Sequence, residues 1–291
     1  MISSEFIHKF TQIAQTPDPD LATVSLLVAR LEYPQLAAAT YVERLNQMGE
    51  TARERVTEFK NLDEPLQAIQ ALNTYLFNEE GFSGNKHHYD DPRNSFLNEV
   101  LDRRTGIPIT LATVYMEVAR RAGIAVEGLN FPGHFLLRYQ NKNASGELKS
   151  DLIIDAFNGG AILSDTDCRN LLRKHGGDAR SFDRLALVGA TKIDILFRML
   201  FNLKCIYVNM RSFPQGRSIA QLLLALRPSA MTELRDRGLL SYHLNDFSAA
   251  LHDLETYLRF TSRGTDGSHE GERAEIWEHV KTLRRRVASL N

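Results

Sequence analysis

Cysteine is nearly absent from this chain: Cys168 and Cys205 are the only two among 291 residues. A disulfide framework needs more, and a zinc site would have to be completed by histidine or carboxylate ligands. The count suits a reducing compartment. Long apolar runs are missing too. The most apolar region, residues 187–210, is interrupted by Lys192, Asp194, Arg198 and Lys204, so no segment reaches the roughly 18 uninterrupted apolar residues of a membrane span. The first twenty residues lack a basic start followed by an unbroken apolar stretch, and no signal peptide is expected. An excess of one charge is also missing. Lys plus Arg number 35 against 36 Asp plus Glu, which leaves no global field to draw the chain to nucleic acid or an anionic membrane. What remains is ordinary for a globular protein, 43% apolar and 24% charged, and long enough to bury a sizeable core. The expected setting is the cytoplasm.

The first hundred residues read as helices. Asp20 is a good N-cap, and Leu21, Val24, Val28 and Leu31 follow at helical spacing until Pro34. A second helix begins near Leu36 and carries Tyr41, Leu45 and Met48. Pro65 opens a third, with Leu66, Ile69, Leu72 and Leu76 as its stripe. Residues 81–94 read as a polar loop, and a short helix carries Leu97, Val100 and Leu101. After the break at Gly106-Ile107-Pro108, a helix presents Leu111, Val114, Tyr115, Val118 and Ala122 and stops at Gly123. The period then changes to two: residues 125–129, 134–139 and 152–157 read as strands, residues 141–150 as a polar hairpin loop, and residues 161–163 as a short returning strand. Helices followed by antiparallel strands predict an α+β domain.

Beyond residue 190 the chain is helical again and repeats itself. A shift of 34 residues places Phe213 on Phe247, Gly216 on Ala250, Ala220 on Leu254 and Leu223 on Tyr257. Gly238 and Ala250 stand where two helices must approach closely, and Asn245-Asp246 marks the bend between them. The pattern resembles a pair of tetratricopeptide units. Residues 261–273 read as a polar loop. Ile276, Val280, Leu283, Val287 and Leu290 form one stripe of a last helix that would cover the end of the array.

The stretch most informative about chemistry runs from Ser95 to Phe157 and contains LNEVLDRRTGIPITL, LNFPGHFLLR and DLIIDAFNGG. It is similar to the core of transglutaminase-like proteins, which share a papain-like architecture. That family places a cysteine at a helix start, a histidine at the start of a strand and an aspartate on the next; the helix end lowers the thiol pKa, the imidazole takes the proton and the carboxylate orients the imidazole. Gly106, Ala112 and Gly123 occupy the family's small-residue and helix-ending positions, His134 matches its histidine and Asp155 its aspartate. The position of the cysteine holds Pro108. Both cysteines lie after His134 and Asp155, out of the family's order. Thr110 is the nearest substitute hydroxyl, and a hydroxyl at a helix start is more often a cap or packing contact; Ser95 and Thr105 are no better placed. The wider resemblance, over most of the chain, is to a bacterial family that joins this altered core to tetratricopeptide-like helices and includes the SirB proteins.

Other clusters read as structure. Adjacent residues such as His87-His88-Tyr89-Asp90-Asp91 rarely converge on one ion, and no metal site is expected; Asp91 before Pro92 is a turn signal. His175 beside Gly176-Gly177 is read as a helix end. Lys281, Arg284, Arg285 and Arg286 are read as a solvated basic face, and Trp277 as a packing anchor.

Three regions are therefore expected: N-terminal helices over 1–80, a transglutaminase-like α+β core with a small antiparallel sheet over 81–185, and tetratricopeptide-like α-hairpins with a capping helix over 186–291. The resemblance and the missing thiol imply a non-catalytic protein, a pseudoenzyme that binds a protein or peptide, with no cofactor, no metal, no nucleic acid and no membrane. His134 and Asp155 are the relict catalytic pair, with Pro108, Thr110, Asn130, Pro132 and Gly133 as candidate pocket-lining residues. The competing expectation is a hydrolase or acyl-transfer enzyme in which His134 acts as base, Asp155 orients it, and water or an unusual hydroxyl attacks.

Overall fold

The computed structural model describes residues 2–61, 64–142, 148–178, 182–183, 187–261 and 270–290. The chain forms two compact units, one of residues 16–199 and one of residues 1–15 with 200–291. These units cut across the three regions read from the sequence, because α1 (Ser4–Ala14) packs on α9 (Phe213–Leu226). Gln15 Nε2 donates to the Ala225 carbonyl at 3.0 Å and fixes that contact.

In residues 16–199 the helices come first. α2 (Leu21–Ala29) is capped by Asp20, whose carboxylate accepts the Thr23 amide at 2.7 Å. α3 (Ala38–Asn61) follows, with Leu45 and Met48 buried. α4 (Pro65–Asn73) has proline in its first turn and continues as a π-helical segment over Thr74–Glu79. Ile69, Leu72 and Leu76 are buried as the stripe requires, but Leu66 is 45% exposed; it lies in the first turn, where a helix has packing neighbours on one side only. The segment over 81–94 contains β1 (Ser83–Gly84), which pairs in parallel with β2 (Thr105–Gly106), and a 3-10 turn over Pro92–Ser95 that leads into α5 (Leu97–Arg103).

α6 (Pro108–Arg121) is the central helix, with every residue from Pro108 to Ala119 buried. Its buried polar groups are all bonded: Thr113 Oγ1 donates to the Ile109 carbonyl at 2.9 Å, Tyr115 Oη donates to Asn73 Oδ1 at 2.9 Å, and Glu117 accepts from Arg120 at 3.0 Å and from Arg121. α6 packs against β3 (Val126–Phe131) and β4 (His134–Lys142). These strands belong to a five-stranded antiparallel sheet of order β6-β5-β4-β3-β7, completed by β5 (Leu148–Asp155), β6 (Ala161–Leu163) and β7 (Gly189–Ala190). One sheet face buries Leu129, Phe131, Leu136 and Ile153 against Cys168 and Leu172 of α7 (Asp165–Lys174), together with Phe182. The loop expected over 141–150 is shorter than its composition suggests, since β4 runs to Lys142 and β5 begins at Leu148; residues 143–147 lie outside the described residues.

In the other unit, the end of α8 (Lys192–Asn209) is followed by α9, α10 (Met231–His243), α11 (Phe247–Thr261) and α12 (Glu270–Leu290). The repeat is visible in the backbone: Arg211 (φ 57) and Asn245 (φ 60), one repeat length apart, both take the left-handed conformation at the helix-to-helix bend. A Cβ on Gly238 would stand 2.8 Å from Leu254 Cδ2 and 3.1 Å from Asp253 Cβ, so the α10–α11 approach requires glycine there. Lys204, 2% exposed, donates to Glu233 at 2.6 Å and Asp236 at 2.5 Å, tying α8 to α10. Ile276, Val280 and Leu283 of α12 close the core over Leu254 and Tyr257. Two expectations need correcting. The segment over 270–273 is helical, because the helix starts a full turn before its first apolar residue; residues 262–269 lie outside the described residues. Trp277 is 44% exposed, since Ile276 and Val280 occupy the inward face that an anchor would need.

Candidate functional site

Pro108 opens α6 and is buried. Its ring fits a first turn, where the missing N–H forfeits no helical bond, and it presents no nucleophile. Thr110, 0% exposed, uses its hydroxyl within the fold. Thr110 Oγ1 accepts the Ile107 amide at 3.1 Å and donates toward the Asn94 carbonyl at 2.8 Å, with the Ile107 carbonyl at 3.1 Å. That is a cap that also ties the helix to the preceding turn, and its one proton is occupied.

The sheet register produces the His134–Asp155 pair. Arg138 lies opposite Ile153 and Leu137 opposite Ile154, so the strand alternation puts His134 and Asp155 diagonally adjacent on one face. His134 Nε2 and Asp155 Oδ1 are 3.0 Å apart, and the two side chains are 7% and 3% exposed. The carboxylate has further work. Its Oδ1 also accepts the amides of Phe157 at 3.0 Å and Asn158 at 3.3 Å, and its Oδ2 accepts Asn158 Nδ2 at 2.8 Å. Asp155 therefore caps the 3-10 turn that leaves β5. Burial alone would raise its pKa, but the hydrogen bond and charge of His134 and the bonds from Asn158 outweigh burial and hold the carboxyl below its ordinary value.

The imidazole of His134 is enclosed by rings. His175, the C-cap of α7, stacks on it with centroids 6.1 Å apart and planes at 22°, and Phe157 meets it edge-on at 6.0 Å. Partial burial first, then His134 and Lys174, hold His175 below the usual imidazole pKa. Tyr89 reaches the same neighbourhood through an edge contact with Phe157 at 6.3 Å. The His175 stack was not legible in the sequence: a histidine before Gly-Gly signals a helix end, which it is, but not where its ring points.

Asn130, near the end of β3, and Pro132 and Gly133 of the β3–β4 turn are exposed. Pro132-Gly133 joins the paired residues Phe131 and His134, and Gly133 has φ +67, the chemistry of a tight Pro-Gly turn. A Cβ there would fall 2.4 Å from the His175 ring. Beneath the turn lies Arg198 of α8, noted in the sequence only as a break in an apolar run. Its guanidinium donates to the carbonyls of His134 at 2.7 Å and Phe131 at 3.3 Å and to Asn130 Oδ1 at 3.3 Å, and lies 5.5 Å from the centre of the Phe135 ring. Burial pushes its pKa down, opposed by Tyr89. The structure thus brings His134 and Asp155 together and adds His175, Phe157 and Arg198. Pro108 and Thr110 lie buried at the start of α6, with the Thr110 hydroxyl committed to Ile107 and Asn94.

Such an arrangement can hold a proton on an oriented imidazole, while Pro108 supplies no nucleophile and the Thr110 hydroxyl is committed within the fold. Among the described residues, no group of three His, Cys, Asp or Glu converges as a metal site would, and no helix is long and apolar enough to cross a membrane.

Comparison with known proteins agrees with this architecture. The profile of the transglutaminase-like superfamily matches residues 39–201, and that of the tetratricopeptide repeat matches residues 203–284. The chain is 39% identical over 264 residues to a UPF0162 protein of Xylella fastidiosa, covering 89% of this chain and 91% of that one. It is 25% identical over 229 residues to protein SirB1 of Salmonella typhimurium, covering 79% and 81%. Over 184 residues it is 32% identical to human F-box only protein 21, covering 61% of this chain and 28% of that protein. The chain belongs to the transglutaminase-like superfamily, in the SirB-type group that joins such a core to tetratricopeptide repeats.

Proposed function

We propose that the protein is a non-catalytic member of its superfamily that acts as an adaptor, holding a protein or peptide partner in the cytoplasm without metal, cofactor, nucleic acid or membrane. The observation that carries this reading is the buried proline at the position of the family's nucleophile. The commitment of the Thr110 hydroxyl to the Ile107 amide and the Asn94 carbonyl supports it, as does the engagement of both Asp155 carboxylate oxygens in holding His134 and a turn. The binding half of the proposal is supported by the repeats, a fold that commonly receives peptides, and by α8, which leaves Phe201 and Val208 about 40% exposed seven residues apart on one helical face (40% and 39%).

The test is capture of a partner by the purified full chain, compared with a Phe201→Glu, Val208→Glu double variant whose helicity is checked by circular dichroism. Capture should fall at least about tenfold, the effect of losing ~1.4 kcal/mol at an interface. Undiminished capture by a folded variant would remove this face from the account. One observation favours the second reading, a hydrolase or acyl-transfer enzyme with a non-cysteine nucleophile: the 3.0 Å bond keeps His134 oriented as a general base would be.

A further inference from the structure

Taking the helical array as a partner-binding element, as above, we propose that the groove between α11 and α12 receives an acidic peptide segment of a partner protein, with its carboxylates on the groove's arginines and one apolar side chain against Trp277. A concave surface of about 690 Å³ lies there, lined by Glu255, Leu258, Arg259, Arg273, Trp277 and Arg284. The helical period explains the composition. On α12, residues 273, 277 and 284 are separated by four and seven, so they share a face, while Ile276, Val280 and Leu283 turn to the core.

Among the described residues that line this groove, three are arginines and one, Glu255, is a carboxylate, in a chain whose net charge is −1. The carboxylate is already engaged, with Glu255 Oε1 accepting Arg284 Nε at 2.7 Å. Arg273 Nε is buried and finds no hydrogen-bond partner among the described residues. A buried donor left unpaired is costly, and a carboxylate is the acceptor whose planar geometry fits a guanidinium. Beside these charges stands an apolar contact surface. Trp277 is 44% exposed, steadied by the Arg284 guanidinium 5.3 Å from its ring centre, and Leu258 of α11 lines the same groove. An exposed indole flanked by arginines is the composition of an interface anchor rather than of a solvated face. Arginine with an aromatic ring can also hold single-stranded nucleic acid. The Glu255 carboxylate in the wall and the Leu258 side chain favour the peptide, whose charges are discrete and separated by apolar side chains.

Trp277 is the only tryptophan, so the indole emission of the full chain reports this groove alone. The protein is titrated with a synthetic peptide of alternating Glu and Leu, with the same peptide carrying Lys for Glu, and with a thymidine oligonucleotide. The acidic peptide should shift the emission saturably. Arg273→Gln and Arg284→Gln should each weaken its affinity about tenfold, the effect of losing one charge-assisted hydrogen bond. Arg273→Lys, which keeps the charge without the fork, should fall between. Absence of a saturable shift, an equal response to the Lys peptide, or tighter binding of the oligonucleotide overturns the proposal. The Phe201→Glu, Val208→Glu variant should keep the full emission response. Partner capture that depends on the α8 face while Trp277 stays silent would sink this groove and leave the adaptor reading standing.

Discussion

Arg198 holds His134 by its backbone: the guanidinium donates to the His134 carbonyl at 2.7 Å, and the same group reaches the Phe131 carbonyl on the other side of the Pro132-Gly133 turn. One planar fork thereby fixes both ends of the turn that presents the imidazole. Replacement by methionine leaves these carbonyls without their donor and should cost about 1–3 kcal/mol. Lysine, a single point of charge, should recover less than half of the loss. Urea unfolding of the three proteins measures this, and unchanged midpoints would show that the turn holds without the clamp.

Asp155 gives the fold a dependence on acid. Its carboxyl is held below its ordinary pKa in the folded chain by His134 and Asn158. Its stabilising contribution is therefore complete above the unfolded carboxyl value of about 4 and is lost as pH falls through the depressed folded value. Asp155→Asn should lower stability at neutral pH, and its stability should then fall less steeply than the wild type's below about pH 4. Parallel stability curves for the two proteins would contradict this assignment.

Gly133 is fixed by two constraints at once, φ +67 and an imidazole 2.4 Å from where a Cβ would be. Gly133→Ala should destabilise by roughly 1–3 kcal/mol through backbone strain and displacement of His175. Thermal unfolding of the single variant beside a Gly133→Ala, His175→Ala double variant separates the two causes: the double variant should recover the steric part and keep the strain. No recovery would mean that the imidazole yields freely.

Much of this architecture is legible in the sequence. The helical stripes, the change of period at residue 125 and the repeat of 34 residues each state a local rule, and the left-handed residues Arg211 and Asn245 land one repeat apart. The His134–Asp155 adjacency follows from strand alternation together with a family resemblance. Arg198, His175 and Trp277 were out of reach for one common reason. Each depends on what a distant element offers: a pair of turn carbonyls for Arg198, a facing imidazole for His175, and an open groove for Trp277. The packing of α1 on α9 is of the same kind, since an amphipathic helix announces that it has a partner and not which one.

The account stands most directly on whether His134 turns anything over. Wild type and His134→Ala are compared on activated esters, on peptide amides and in amine-incorporation assays. The account predicts equal rates, no higher than those of the buffer, with the variant differing only in its stability. A wild-type turnover that disappears in a folded His134→Ala protein would mean that a nucleophile other than the missing thiol works beside this imidazole, and the non-catalytic reading would fall.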